Sequence, residues 1–149
     1  MVKLRPYRPG DLDVIQRRPQ DYSCDEMDEQ TKLLGEIDVS FTIEVDGVPV
    51  AIFGVQKLWT GVGHAWSIIS DDVRGHGLML TKTCHKMIDD YAEANKMWRI
   101  QVTVQSDLTE NKRWVEAMGF AYESTQKWAS PDGKDLDTFV RFYHGRINT

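Results

Sequence analysis

The segment Ala65-Trp-Ser-Ile-Ile-Ser-Asp-Asp-Val-Arg-Gly-His-Gly-Leu-Met-Leu80 decides the fold. It begins with an apolar strand at Ala65–Ile69, continues as a loop that contains two glycines, and leads into a long amphipathic helix. The change from strand to helix periodicity predicts a strand–loop–helix unit. The apolar face of its helix is predicted to consist of Leu80, Cys84, Met87, Ile88, Tyr91 and Ala92.

The loop of this unit has the residues of an anion-binding site. The first N–H groups of a helix have no internal partners, and the helix dipole adds partial positive charge there. Gly75 and Gly77 allow the backbone to approach a pyrophosphate without a Cβ in the way, and Arg74 adds charge and forked donors. A strand–helix turn that merely uses two glycines is the alternative, and the loop by itself leaves both open.

The rest of the chain shows no linker and no repeat, so we predict one domain over residues 1–149. Upstream, the predicted elements are a strand at Val2–Arg5, a helix from an Asp11 N-cap to Arg17, a helix at Asp25–Leu34, and strands at Asp38–Val45 and Val48–Gln56 around an Asp46-Gly47 turn. Downstream, they are the helix ending near Asn95, a strand at Arg99–Val104, a helix at Thr109–Met118, and strands at Phe120–Lys127 and Leu136–Tyr143. This order predicts an α+β fold with a central mixed sheet.

The composition indicates a globular protein with a sizeable core, because 41% of the 149 residues are hydrophobic and 28% are charged. A formal charge of -5 argues against nucleic acid and anionic membranes as partners. We expect neither a membrane span nor a signal peptide, and therefore a cytoplasmic location, because long apolar runs are missing. The four histidines show no metal-ligand spacing, so we expect no metal site.

The two cysteines, Cys24 and Cys84, form no CxxC pair, which favours a reduced, intracellular protein and leaves a single bridge between them open. Cys84 lies on the apolar helix face, so we predict an inert thiol.

The acidic run Asp25–Glu29 is predicted to be a solvated helix start, with attraction of a cationic amine as the alternative. Trp66 and Trp98 are predicted to pack on the sheet, and Trp114 in the core.

Arg74-Gly-His-Gly-Leu-Met79 resembles the pyrophosphate motif Gln/Arg-x-x-Gly-x-Gly/Ala of the GNAT (Gcn5-related N-acetyltransferase) family at all but its last position. In that family the motif joins the fourth strand to the third helix, which is where it falls here. Asn111–Phe120 resembles the family's fourth helix, which ends in a Gly-Phe pair, and Leu4–Leu12 resembles its first strand and turn. The resemblance covers nearly the whole chain. It implies a mixed, mostly antiparallel sheet of six to seven strands with about four helices on its faces.

The resemblance also implies an activity, the transfer of an acetyl group from acetyl-CoA to a primary amine by direct attack. In the family, the glycine-rich loop holds the pyrophosphate of the co-substrate. A backbone N–H near the end of the fourth strand polarises the carbonyl, and a residue at the start of the fourth helix contacts the pantetheine arm. For Asn111 an ordinary helix-start role is the alternative. The residues implied for acetyl-CoA are Ile68, Ile69, Ser70, Arg74, Gly75, His76, Gly77, Leu78, Met79 and Asn111.

Two positions depart from the family's pattern. Met79 stands where Gly or Ala is usual, so its side chain points either at the phosphates or at the strand behind them. Val115 stands where the family often has a Tyr that protonates the departing thiolate. Binding of acetyl-CoA is therefore the firmer part of the prediction, and transfer the weaker part.

The general base is also not at the family's usual place, because the fourth strand lacks a Glu. His64 titrates in the right range and is the candidate base, and a surface histidine at a strand end is the alternative. Other candidate bases, or else solvated edge charges, are Glu36, Asp38 and Glu44.

A closer likeness links the chain to the GNAT-like internal virion proteins of T7-like phages. It rests on Gly47-x-Pro49-x-Ala51-Ile52-x-Gly54 and on Trp66-x-x-x-Ser70-Asp71-x-Val73. It implies a phage protein, located in the host cytoplasm or the virion, that is a catalytically inactive structural or interaction protein. An acyl-CoA sensor is a third alternative. The partners are accordingly acetyl-CoA with an unidentified amine, or else virion proteins, and exposed edge strands leave a homodimer open.

Overall fold

The computed structural model describes residues 1–15, 39–70 and 75–143. The described helices are Asp11–Val14 (α1), Gly77–Ala94 (α2) and Thr109–Ala117 (α3), numbered within the described residues. The strands are Val2–Pro6 (β1), Val39–Val45 (β2), Val48–Trp59 (β3), Val62–Ile69 (β4), Arg99–Gln105 (β5), Ala121–Gln126 (β6) and Leu136–Phe142 (β7). The predicted helix Asp25–Leu34, its acidic run Asp25–Glu29, and Cys24, Glu36, Asp38 and Arg74 lie outside the described residues.

The seven strands follow the hydrogen-bonded order β1-β2-β3-β4-β5-β7-β6. β4 and β5 run parallel, whereas the pairs β1–β2, β2–β3, β5–β7 and β6–β7 are antiparallel. The sheet is therefore mixed and mostly antiparallel, as predicted. The chain falls into two compact units, one made of Met1–Gln56 and Trp66–Leu78 and the other of Lys57–Ala65 and Met79–Thr149. The expectation of one domain over residues 1–149 stays a prediction.

In the first unit, the predicted hairpin between β2 and β3 is confirmed. Asp46 and Gly47 form its turn with φ angles of 51° and 83°, the left-handed values that a two-residue hairpin turn requires. Ile43 and Ala51 face each other across the hairpin, and both are buried. Burial of an aliphatic side chain the size of Ile43 stabilises the fold by about 1.5–3 kcal/mol.

The prediction of a helix from an Asp11 N-cap to Arg17 is wrong at both ends. Gly10 is the N-cap residue, with φ 94°, and α1 ends at Val14 because Ile15 is extended, so it does not reach Arg17. The physical reason is that the carboxylate of Asp11 is engaged elsewhere. It accepts hydrogen bonds from the buried side chain of Arg5 and from the hydroxyl of Thr42.

In the second unit, α2 buries the six residues that the helical periodicity predicts, from Leu80 to Ala92. In β5, Ile100 and Val104 are buried as predicted, and Val102 is partly buried. The α3 helix ends at Ala117, one residue before the predicted end, and Gly119 follows with φ 91°. Gly119 ends the helix as a left-handed residue, which is the conformation that favours glycine.

The strands β3 and β4 are longer than the sequence predicts, because they meet in a tight turn at Thr60-Gly61. Gly61 has φ 81°, and its carbonyl accepts hydrogen bonds from the N–H groups of Trp98 and Arg99 at 2.9 and 3.0 Å. A Cβ at Gly61 would lie 2.3 Å from the Trp98 indole. Trp98 therefore packs against the turn, and only a glycine leaves it the room.

Candidate functional site

The described part of the predicted phosphate loop, Gly75–Met79, leads into the first turn of α2. Gly75 has φ 85°, a left-handed value that explains a glycine there. Gly77 has no such φ, and a Cβ built on Gly77 meets no atom within 4 Å. Among the described residues, neither a left-handed φ nor a close neighbour requires a glycine at position 77. Within the described residues, which do not include 71–74, the space beside Gly77 is open.

The side chain of Met79 is directed along α2 and not toward the start of the helix, where a phosphate would bind. Its sulfur accepts a hydrogen bond from the hydroxyl of Thr83 at 3.6 Å, one turn further along α2. The thioether therefore lies beside the second turn of the helix and away from the helix start. Two other loop residues differ in exposure: His76 is partly buried, and Leu78 is 72% exposed.

The end of β4 carries the three residues predicted to supply a backbone donor. The N–H of Ser70 donates to the carbonyl of Val50 at 2.8 Å, so this donor is already used. Successive N–H groups of a strand point to opposite sides. The N–H of Ile69 is therefore directed away from β3. The side chain of Ile68 packs against a buried cluster formed by Leu12, Ile15 and Ile52.

The candidate base His64 is the third residue of β4 and aligns with Gln101 in the parallel pair with β5. It is partly buried, so the reading of a surface histidine at a strand end is wrong. The reason is that β4 begins earlier than predicted, at Val62. Burial lowers the pKa of His64 below its ordinary value of 6.5, with no hydrogen bond or charge among the described residues acting on it. The imidazole is therefore neutral at pH 7 and able to accept a proton.

On α3, the predicted pantetheine contact Asn111 is the third residue of the helix and is partly buried. The N-cap is Leu108, so Asn111 is not the cap. Val115 is 3% exposed, which gives this position no polar group and no contact with water. Trp114 is only partly buried, against the prediction of a core residue, because its indole Nε1 donates to the hydroxyl of Thr81 at 2.8 Å.

The structure also describes the candidate base Glu44 and the predicted inert thiol Cys84. Glu44 accepts a hydrogen bond from Arg5 and is mostly buried, so it is not a solvated edge charge, and the ion pair engages its carboxylate. Cys84 is a free, buried thiol, and burial raises its pKa to about 12, which agrees with the predicted inertness. Among the described residues, no group of three or more His, Cys, Asp or Glu side chains could hold a metal ion.

Sequence reasoning missed a buried carboxylate in the second unit. Asp137 on β7 is 5% exposed and accepts hydrogen bonds from Ser106 Oγ at 2.6 Å, Thr125 Oγ1 at 2.7 Å and Lys112 Nζ at 3.2 Å. Burial alone would raise the pKa of Asp137, but these donors outweigh burial and the pKa lies below its ordinary value. Lys112 precedes Val115 on α3, so Asp137 fixes the start of this helix. Little in the sequence signals this carboxylate, because β7 also contains a threonine and an arginine, so Asp137 is not an isolated polar residue in an apolar strand.

The sequence matches no protein-family model and no curated protein. Solved structures do match. Ard1 from Thermoplasma volcanium superposes with a TM-score of 0.75 at 15% identity, over 95% of this chain and 97% of that chain. The ribosomal-protein-S18-alanine N-acetyltransferase from Escherichia coli superposes with a TM-score of 0.72 at 16% identity, over 94% and 92%. An acetyltransferase of the GNAT family from Streptococcus pneumoniae gives 0.72 at 15% identity, over 95% and 99%.

These likenesses concern the fold. They confirm the predicted α+β class, and the seven strands lie within the predicted six to seven. Three helices are present within the described residues, where about four are predicted for the whole chain. No helix in the described part of the chain is long and apolar enough to cross a membrane.

Proposed function

We propose, from the GNAT fold of this chain, that it is an acyl-CoA-dependent N-acyltransferase that moves an acetyl group from acetyl-CoA to a primary amine. The observation that carries the proposal is the start of α2 at Gly77, where no left-handed φ requires a glycine and no atom of the described residues lies within 4 Å of a Cβ. A glycine at a helix start allows the close approach of a pyrophosphate to the backbone N–H groups. Met79 supports this use of the loop, because its thioether lies along α2.

The residues present fit acetyl-CoA as a co-substrate. It supplies a thioester, an acetyl group activated for attack by an amine. Gly75, His76, Gly77, Leu78 and Met79, together with Arg74 outside the described residues, are proposed to hold the pyrophosphate. Asn111 is proposed to contact the pantetheine arm. These assignments rest on the family resemblance of the loop and of α3.

Among the donors at the end of β4, we assign polarisation of the thioester carbonyl to the N–H of Ile69. The N–H of Ser70 is bound to Val50, and the alternation of strand amides directs the N–H of Ile69 away from β3. A fixed backbone donor stabilises the negative charge that develops on the carbonyl oxygen during attack. Ile69 is buried, so this donor lies in surroundings where a hydrogen bond is stronger than in water.

We assign the base to His64. An amine is protonated at neutral pH and must lose a proton before it attacks, either directly or through water. The imidazole of His64 is neutral because burial lowers its pKa, and it forms no hydrogen bond within the described residues, so a ring nitrogen is available to accept that proton. Val115 has no proton to donate, so we assign protonation of the departing thiolate to water.

A second candidate function is a GNAT-fold protein without catalysis, including a structural protein of a phage virion as the sequence likeness suggests. The observation that favours it is Val115, which is buried and apolar where the family often has a Tyr. The Arg74-Gly-His-Gly77 sequence that leads into α2 opposes it, because a purely structural domain needs no phosphate-binding loop. An acyl-CoA sensor that binds without transfer is intermediate between the two.

The test is calorimetric titration with acetyl-CoA and, separately, with CoA. We expect dissociation constants on the order of micromolar, the usual range for a co-substrate. Gly77→Glu should abolish binding, since a carboxylate then occupies the open surface. Thr60→Glu, which adds the same charge at an exposed turn, should bind normally. Failure of the folded protein to bind either ligand would leave the non-catalytic candidate.

Transfer is then tested by the release of CoA with a set of amines. Two structural neighbours are described as acting on an alanine of a ribosomal protein and on an N-terminal serine. Peptides that begin with Ala or Ser are therefore the first acceptors, with spermidine and free lysine as small-amine comparisons. Binding of acetyl-CoA without CoA release for any acceptor would support the sensor.

A further inference from the structure

The carboxylate of Asp137 on β7 joins three segments of the second unit that are separated in sequence. Its Oδ1 atom accepts hydrogen bonds from the hydroxyl of Ser106, just after β5, and from the hydroxyl of Thr125 on β6. Its Oδ2 atom accepts one from Nζ of Lys112 on α3. Because Asp137 is buried, removal of the charge at either end of the Asp137–Lys112 pair leaves the other poorly compensated.

Lys112 ties the first turn of α3 back to the loop that precedes the helix. Its Nζ donates to the carbonyl of Ser106 at 2.9 Å as well as to Asp137. The same loop is held from a second side, because the N–H of Ser106 donates to the carbonyl of Asp135 at 3.0 Å. Asp137 and Lys112 therefore connect residues 106–108 and the first turn of α3 to β7.

The start of α3 depends on contacts from outside the helix. The helix has nine residues, and a helix of that length is marginal in water by itself. Its N-cap residue, Leu108, makes no side-chain hydrogen bond to the first N–H groups. A lysine near the positive end of the helix dipole is unfavourable unless a carboxylate neutralises it. Burial alone would raise the pKa of Asp137, but the hydrogen bonds it accepts outweigh burial, so it is charged at neutral pH and neutralises Lys112.

We propose that Asp137 is a positioning residue for acetyl-CoA, because through Lys112 it fixes the first turn of α3 and so places Asn111 against the pantetheine arm. This inference rests on the proposed function, which assigns that contact to Asn111. Asn111 and Lys112 are consecutive residues of α3, so a displacement of one carries the other with it. A shift of about 1 Å is enough to impair a contact that depends on position.

The charges at the start of α3 fit the arm of the ligand better than its phosphates. Asp137 cancels the charge of Lys112, and Nζ of that lysine is engaged with two oxygen acceptors. Glu110 adds a negative charge in the same turn. The pantetheine arm carries amides and no charge, whereas a phosphate would meet repulsion from Glu110 without a free lysine to offset it. A loss of Asp137 should therefore affect binding of the arm and spare the phosphates.

Calorimetric titration of the full chain with two ligands tests this division. CoA carries the pantetheine arm, whereas phosphoadenosine diphosphate is the part of CoA that keeps all its phosphates and lacks the arm. Asp137→Asn should raise the dissociation constant of CoA about tenfold and change that of phosphoadenosine diphosphate less than about twofold. Asp132→Asn is the matched control. It removes a carboxylate between β6 and β7 that contacts Ser130 and Lys134 and should leave both constants unchanged.

A second variant tests the route through Lys112. Lys112→Met leaves Asp137 its two hydroxyl donors, and it should weaken binding of CoA as Asp137→Asn does. The double variant should bind CoA no more weakly than the weaker single variant, because both substitutions break one contact. Circular dichroism verifies that all variants are folded at the temperature of the titration.

The outcomes separate this inference from the proposed function. A wild type that binds neither ligand would overturn both. A wild type that binds CoA would support the proposed function, and the inference alone would then fail in either of two cases. One is an equal loss of both ligands in Asp137→Asn, which indicates a general loss of structure. The other is binding of CoA at the wild-type affinity in Asp137→Asn or in Lys112→Met.

Discussion

The guanidinium of Arg5 and the carboxylate of Asp11 form a buried ion pair through two hydrogen bonds, each 2.8 Å long. The side chains are 7% and 9% exposed. Asp11 also accepts the backbone N–H of Arg8 and the hydroxyl of Thr42, so it links β1, α1 and β2. Removal of one partner leaves the other charge buried without compensation.

Asp11→Asn should therefore lower the free energy of unfolding by about 3 kcal/mol, the lower end for a broken buried pair because Arg5 keeps its contact with Glu44. Urea denaturation measures the change. Asp90→Asn is the matched control, since Asp90 pairs with Lys86 on the exposed face of α2 and should cost less than about 1 kcal/mol. Equal effects of the two substitutions would contradict the buried role of Asp11.

Stability should decrease in two steps as the pH falls. Burial holds the pKa of His64 below 6.5, and hydrogen bonding holds the pKa of Asp11 and Asp137 below 3.8. In each case the unfolded chain binds protons more readily than the folded chain, so the unfolding free energy declines below pH 6.5 and again below pH 3.8. His64→Gln should remove the first step, and Asp137→Asn should reduce the second. Denaturation curves between pH 8 and pH 3 measure both.

A third prediction compares two glycines that both have positive φ. Gly47 has φ 83° with open space around a Cβ, whereas Gly61 has φ 81° with the Trp98 ring 2.3 Å away. Gly47→Ala should cost only the backbone strain, about 1–2 kcal/mol. Gly61→Ala should cost about 1–3 kcal/mol more, since it also displaces the indole. Thermal denaturation followed by tryptophan fluorescence separates the two, and equal losses would contradict the packing of Trp98 on the turn.

The sequence predicted the elements well wherever periodicity was the only information needed. The buried face of α2 and the Asp46-Gly47 hairpin are examples, because local spacing and turn chemistry determine both. The ends of β3 and β4 were missed, since Gly61 is held by contacts with Trp98, more than thirty residues away. The roles of Asp11 and Asp137 also depend on partners that are distant in sequence, and a local sequence pattern does not predict such partners.

The orientation of Met79 gives a prediction about binding. Met79 stands where the resemblance implies a small residue, but its thioether lies along α2 beside Thr83. Met79→Ala should therefore change the affinity for acetyl-CoA by less than about threefold, a difference below 1 kcal/mol. Calorimetry under the conditions of the wild type measures it. A large gain in affinity would mean that the methionine obstructs the phosphate loop.

The last prediction concerns His64 as the base. Loss of a general base commonly lowers a rate by about 10²–10⁴-fold. His64→Gln should therefore lower kcat by about 100-fold or more with the best acceptor amine, and leave the dissociation constant of acetyl-CoA unchanged. His85→Gln, which alters a partly exposed histidine on α2, should have no effect on kcat.

The pH profile then decides whether His64 acts on the proton or only supports the fold. The neutral imidazole is the active form, so kcat of the wild type should fall on the acid side with an apparent pKa below 6.5. In His64→Gln this acid limb should disappear, because the group whose protonation stops catalysis has been removed. A structural role would lower kcat equally at every pH and keep the limb. Retention of the limb in the folded variant would therefore assign the base to another residue.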